Sequence, residues 1–179
     1  MYAKKYTFTQ LQKSDLQRYI GSGYTRKLLK YFRRCQTTDN KLLLQYYRWR
    51  FKKLKDRNLI DIYGKCDIGP GLYLGHVCCI TINADTVIGK NCNIHKGVTI
   101  GQENRGNRRG VPTIGDSVWI GVNATVVGKI TIGDDVLIAP NSYVNCDVPS
   151  HSIVFGNPCI IKHKEGATDG YVNHKCTLE

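Results

Sequence analysis

Long apolar runs are missing from this chain. None of its 179 positions begins an apolar stretch of 18 residues, so no segment reads as a membrane-spanning helix. The first residues also lack an apolar run of about 7–15 residues behind a basic start, so no secretory signal is expected. C-x-x-C is absent, although there are eight cysteines. The close pair is Cys78-Cys79, and adjacent cysteines rarely bond each other. Most of the cysteines are therefore expected to be reduced packing residues, with no disulfide framework and no cysteine metal site. Proline is absent from residues 10–57. Acidic residues are scarce at the front: residues 1–60 hold three Asp against 16 Lys+Arg, while residues 61–179 hold eleven acidic residues against ten basic ones. The net charge of +12 thus belongs to the front third, which places a boundary near Asn58–Asp61.

The proline-free stretch reads as helical. Leu28, Leu29, Tyr31 and Phe32, then Leu42, Leu43, Tyr46, Tyr47 and Phe51, recur near helical spacing. Gly21 and Gly23 punctuate its first part. Thr38-Asp39-Asn40 offers a turn and an N-cap between two helices. Residues 1–60 are expected to form a basic helical segment. "KLLLQYYRWRFKKLK" (41–55) mixes aromatics and leucines with cations, so it is either a solvated basic face over a helix core or a surface for anionic membrane.

From Ile62 the period changes to six. The anchors are Ile62, Ile68, Leu74, Ile82, Ile88, Ile94, Ile100, Ile114, Ile120, Val126, Ile132, Ile138 and Val144. Four places after many anchors stands a small or β-branched residue: Cys66, Thr86, Cys92, Val98, Val118, Ala124, Val136 and Ser142. This is the pattern of a parallel β-helix of hexapeptide repeats, with three steps closing one triangular coil and about four to five coils in all. Residues 61–160 are assigned to it, and residues 161–179 to a C-terminal tail. The period breaks twice. Residues 102–111 are polar and carry Arg105, Arg108 and Arg109, so they must protrude, either as a binding loop or as a tolerated surface insertion. Leu74 to Ile82 is a step of eight rather than six, and it contains His76. By spacing alone His76 is either a general base or a satisfied histidine at an irregular turn.

Residues 61–164 resemble the hexapeptide acyltransferases, most closely the serine acetyltransferase branch. The stretches that carry the resemblance are "DIYGKCDIGPGLYLGH", "VTIG", "PTIGDSVWIGVNATVVGKITIG" and "VPSHSIVFGNPCIIK". The spacing from Asp61 to His76, with the eight-residue step, is its most specific part. The resemblance implies a left-handed parallel β-helix, a homotrimer with sites between subunits, and transfer of an acetyl group from acetyl-CoA to a hydroxyl. It also implies that His76 is the general base and Asp61 its partner. The chemistry needs both types: imidazole titrates near neutrality and can take a hydroxyl proton, and a carboxylate fixes its tautomer and steadies the imidazolium.

The same resemblance leads to the expectation that Trp119, on a turn, together with Gly121 and Ala139, borders the CoA arm. Trp119 can equally be plain packing. Lys162 and Lys164 either meet CoA phosphates or belong to a solvated tail. His95 follows an anchor and is expected on an outer turn; only His76 and His95 lie among the coils, so no metal site is expected. No nucleic-acid partner is expected either. The expected localisation is cytoplasmic, with peripheral contact at the inner membrane face.

The acceptor is the open point. In the serine branch an aspartate precedes the catalytic histidine, and an Arg-His pair precedes the proline after the loop. Here those places are Gly75, Gly110 and Val111. A pocket that loses those ionic partners, and whose glycines beside the base make room for something larger than serine, is expected to favour a sugar hydroxyl in polysaccharide biosynthesis, contacted by Arg105, Arg108 and Arg109. Serine of cysteine biosynthesis is the alternative, and a non-catalytic β-helix scaffold is the rival from a different class.

Overall fold

The computed structural model describes residues 5–18 and 23–178; the expected punctuation at Gly21 lies outside the described residues. Three helices come first: α1 (Phe8–Arg18), α2 (Gly23–Thr37) and α3 (Lys41–Lys55). Thr7 and Gln10 cap α1 reciprocally. Gln10 N–H donates to Thr7 Oγ1 at 3.3 Å, and Thr7 N–H donates to Gln10 Oε1 at 2.9 Å. Asn40 caps α3 as the sequence suggests: its Oδ1 accepts from the N–H groups of Leu42 and Leu43 at 3.0 and 3.1 Å.

Short strands then follow one another: β1 (Asp61–Ile62), β2 (Asp67–Ile68), β3 (Tyr73–Gly75), β4 (Thr81–Ile82), β5 (Val87–Ile88), β6 (Asn93–His95), β7 (Thr99–Gly101) and β8 (Thr113–Ile114). The run continues with β9 (Trp119–Ile120), β10 (Thr125–Val127), β11 (Thr131–Ile132), β12 (Val136–Ile138), β13 (Tyr143–Val144), β14 (Ser152–Phe155) and β15 (Ile160–His163). They stack into three sheets. The first is β1-β4-β7-β10-β13, the second β2-β5-β8-β11, and the third β3-β6-β9-β12-β14, closed by antiparallel β15. Every third strand therefore lies above its predecessor, and about five coils form a left-handed β-helix.

All thirteen anchors are buried, as are all eight small residues four places on. Stacked anchors make one continuous apolar column, and the small residue leaves room for the corner to close over it. The corners themselves need a left-handed backbone. Asn91, Ser117, Asn123, Asp135 and Asn141, each three places after an anchor, all have positive φ. Asparagine and aspartate tolerate this region better than other residues with a Cβ.

The helical front is not a detached arm. Leu28, Leu29, Phe32 and Phe51 join one core with Ile60, Ile62 and Ile68, so the helices close the open end of the first coil. A buried ion pair fixes the junction: Arg33 Nε and Nη2 donate to the Asp15 carboxylate at 2.8 and 2.9 Å, and the same guanidinium donates to the carbonyls of Ile68 and Gly69. Meanwhile α3 leaves Leu42, Leu43, Tyr46 and Trp49 exposed.

The tail is held as firmly. β15 straddles the expected boundary at residue 160, and the chain then returns over the third sheet. Asn91 exchanges two hydrogen bonds with the Cys176 backbone, at 3.1 and 2.8 Å. Asn93 Nδ2 donates to Tyr171 O at 3.0 Å, and the Asp135 carboxylate accepts from the N–H groups of Ala167 and Thr168. All eight cysteines are free, but only Cys35, Cys66, Cys92 and Cys176 are buried. Burial pushes the Cys92 thiol up to about 12, so it is an inert packing group.

Candidate functional site

The eight-residue step carries two left-handed residues where a regular step carries one. His76 has φ 52° and Cys79 has φ 53°. The chain turns outward at His76, passes Val77 and Cys78, and turns back at Cys79. Ile80, fully buried, then takes the place of the usual small residue. Cys79 N–H donates to Asn58 O at 2.9 Å, which ties this wide corner to the end of the helical front. The two added residues thus present an exposed His76 while β3 and β4 keep their places in the coils.

Asp61 lies at the same corner, one coil away. It opens β1 in register with Thr81, and its N–H donates to Ile80 O at 2.7 Å. Its carboxylate is about half exposed and meets Lys55 Nζ at 3.2 Å.

Above Gly75 stands His95, in register one coil on. Its ring packs between Tyr73, at 6.2 Å between centroids, and Trp119, at 4.8 Å. A Cβ built on Gly75 would lie 2.6 Å from His95 Cε1. Burial lowers the His95 pKa, and the nearby His76 lowers it further. His95 Nε2 is buried with no hydrogen-bond partner among the described residues. The sequence reading assigns His95 to an outer turn and gives it no role. A signal was available: it stands directly after an anchor, where Gly occurs at 69, 75, 89, 101, 115, 121 and 133.

Trp119 is in β9 on the outer face of the third sheet, not on a turn. Its ring leans across Gly121, where a Cβ would lie 2.8 Å from Trp119 Cζ3 and 2.7 Å from Pro140 N. Ala139 is half-buried directly after β12. Lys162 and Lys164 are exposed, with Lys162 Nζ 5.6 Å from the centre of the Phe155 ring.

The loop 102–111 protrudes as expected. Glu103 and Gly110 exchange backbone hydrogen bonds at 2.9 Å, and Lys129 N–H donates to Arg108 O at 2.8 Å. Arg105, Arg108 and Arg109 are exposed, with Arg108 Nε 3.5 Å from Glu103 Oε2. The loop leaves β7 for β8, at the corner between the first and second sheets. His76 stands at the corner between the third and first. One chain therefore places the loop arginines, Gly110 and Val111 at a different corner from His76.

Family models match twice: the hexapeptide repeat of succinyl-transferases over residues 79–103, and bacterial transferase hexapeptide repeats over residues 112–146. The chain is a hexapeptide-repeat protein. Over 99 residues it is 39% identical to serine acetyltransferase 2 of Arabidopsis thaliana, covering 55% of this chain and 31% of that one. It is 30% identical over 115 residues to the serine acetyltransferase of Synechococcus elongatus, covering 64% and 47%. The serine acetyltransferase of Neisseria gonorrhoeae, solved in complex with serine, superposes with a TM-score of 0.66 at 27% identity, over 86% of this chain and 68% of that one. The hexapeptide-repeat protein spans about half or less of the length of these two curated relatives.

These findings correct the sugar acceptor expected from the sequence. The relatives are serine acetyltransferases, which favours the alternative reading over polysaccharide biosynthesis. The physical argument for a larger acceptor also fails. It takes Gly75 and Gly110 to open space beside His76. In the hexapeptide-repeat protein the space at Gly75 holds the His95 ring, and Gly110 lies 3.0 Å, from its would-be Cβ, under the Lys129 side chain.

Proposed function

We propose that the protein is an acetyl-CoA-dependent serine O-acetyltransferase. The observation that carries this reading is the wide corner. It presents His76 outward beside Asp61, within the coil region that resembles the serine acetyltransferases.

In this reading acetyl-CoA supplies the acetyl group as an activated thioester. His76, exposed on its left-handed turn, takes the proton of the serine hydroxyl as the oxygen attacks, and returns it to the departing thiolate. A positioned base of this kind contributes about 10²–10⁴-fold. Asp61 steadies the imidazolium from the neighbouring coil, its half-exposed carboxylate turning from Lys55 to do so. The small Ala139, half-buried after β12, lines the route by which a thin pantetheine arm reaches His76, with the Trp119 ring covering Gly121, and Lys162 and Lys164 offer charge to phosphates. Three copies of the chain assemble about a threefold axis, with the sites between subunits. The loop 102–111 of one copy then reaches the His76 corner of the next, which brings its arginines to the serine carboxylate.

The test is thiol release from acetyl-CoA with serine and, separately, with a panel of sugars. Saturable release with serine that is lost in His76→Asn supports the reading; release with sugars alone rejects it.

A further inference from the structure

Beneath the returning tail, the outer face of the third sheet carries a cavity of about 270 Å³. His76 is not among its walls, although His95, which is one of them, lies near it. Arg18, from the end of α1, contributes a guanidinium that is 4% exposed. Its Nε donates to Asn173 O at 3.2 Å, one Nη to Gly71 O, and the other to Asn93 Oδ1 at 2.6 Å. All three acceptors are neutral oxygens. A guanidinium has five N–H donors, so two remain unused among the described residues. Burial lowers the pKa of Arg18, as expected for a desolvated cation whose charge its neighbours incompletely balance.

A second group in the same cavity lacks a partner. His95 Nε2 is buried and makes no hydrogen bond among the described residues, although an imidazole nitrogen out of water costs free energy unless it is paired. The remaining walls are flat rings. Trp119 packs against His95 with the rings tilted by 50°, and Tyr171 from the tail meets the Trp119 ring edge-on with centroids 5.1 Å apart.

These features select one kind of ligand. A cation would oppose Arg18. A wholly apolar molecule would leave the guanidinium and Nε2 unsatisfied. A carboxylate answers both, because it accepts several hydrogen bonds and its charge matches Arg18. A planar ring answers the aromatic walls. We propose that this cavity binds a single-ring aromatic monocarboxylate, with the carboxylate on Arg18 and His95 and the ring against Trp119. The tail, stitched down by Asn91 and Asn93, is the cover of this site rather than a loose end.

The test uses Trp49→Phe protein, in which Trp119 is the remaining one of the chain's two tryptophans. Benzoate is titrated while Trp119 emission and melting temperature are followed, with benzamide and acetate as controls. Benzoate should give a saturable change and raise the melting temperature. Benzamide, which has the ring without the charge, and acetate, which has the charge without the ring, should each bind at least about tenfold more weakly. Arg18→Met should weaken benzoate binding at least about tenfold. Where that buried substitution prevents folding, His95→Phe decides: it keeps a ring over Gly75, removes the nitrogen, and should weaken binding at least about threefold. No saturable response up to roughly 10 mM benzoate overturns the proposal. So does equal binding of either control, or unchanged binding in a folded variant. Acetyl transfer is not measured in any arm, so this result stands apart from the proposed function.

Discussion

Gly75 and His95 face each other across adjacent coils, and the histidine ring occupies the volume that any side chain at 75 would need. The glycine beside His76 therefore serves packing: it admits His95, which in turn lies against Trp119. Gly75→Ala should destabilise the protein by about 1–3 kcal/mol, the usual cost of forcing an extra methyl into a packed site. His95→Ala added to it should recover part of that loss. Melting temperatures of the two single variants and the double variant form the cycle that checks this, and additive losses would show that the contact is not limiting.

His76→Asn should leave the fold intact, because asparagine tolerates the positive φ that position 76 requires. Turnover should fall by about 10²–10⁴-fold if His76 moves the proton. The check is kcat for CoA release beside a circular-dichroism spectrum and melting curve. Asp61→Asn should cost less, since it removes support for the imidazolium and not the base itself.

Asp15→Ala should be among the most damaging substitutions outside the site. It leaves Arg33 buried without its carboxylate, and it removes the acceptor of the Leu72 N–H at 2.9 Å. Breaking a buried pair in this way costs about 3–5 kcal/mol. Urea denaturation should show a large drop in midpoint, because the helical front and the first coil share one core.

Acid should release the tail first. Burial opposes the charge on Asp135, but the Thr168 hydroxyl, His151 and the backbone N–H groups of Thr168 and Ala167 outweigh it and hold its carboxyl at about 2. A carboxyl lowered on folding contributes stability that is present above its ordinary value near 3.8 and lost as pH falls toward 2. Proteolysis of residues 164–178 should therefore accelerate between those pH values. In Asp135→Asn it should be fast already at neutral pH and vary less with acid.

The coil region was legible because its period records which side chains point inward. Every anchor from Ile62 to Val144 is buried, and so are the eight small or β-branched residues named four places after an anchor. Asn40 was legible as a cap because its side chain acts on its immediate neighbours. The pairing of Gly75 with His95 was not. What fills the space above a glycine is decided by the coil stacked on it, and that is a register property rather than a local one. The tail escaped for a related reason. Asn91 and Asp135 lie outside the anchor pattern, and their side chains hold a segment distant in sequence in place. Trp119 was placed on a turn because the strand that carries it is only two residues long.

The most direct measurement is initial-rate CoA release from acetyl-CoA with millimolar serine, run on the unmodified protein and on His76→Asn. The account predicts saturable serine dependence in the first and a loss of about 10²-fold or more in the second. No serine-dependent release from folded protein that binds acetyl-CoA would contradict it, as would equal rates in the two proteins.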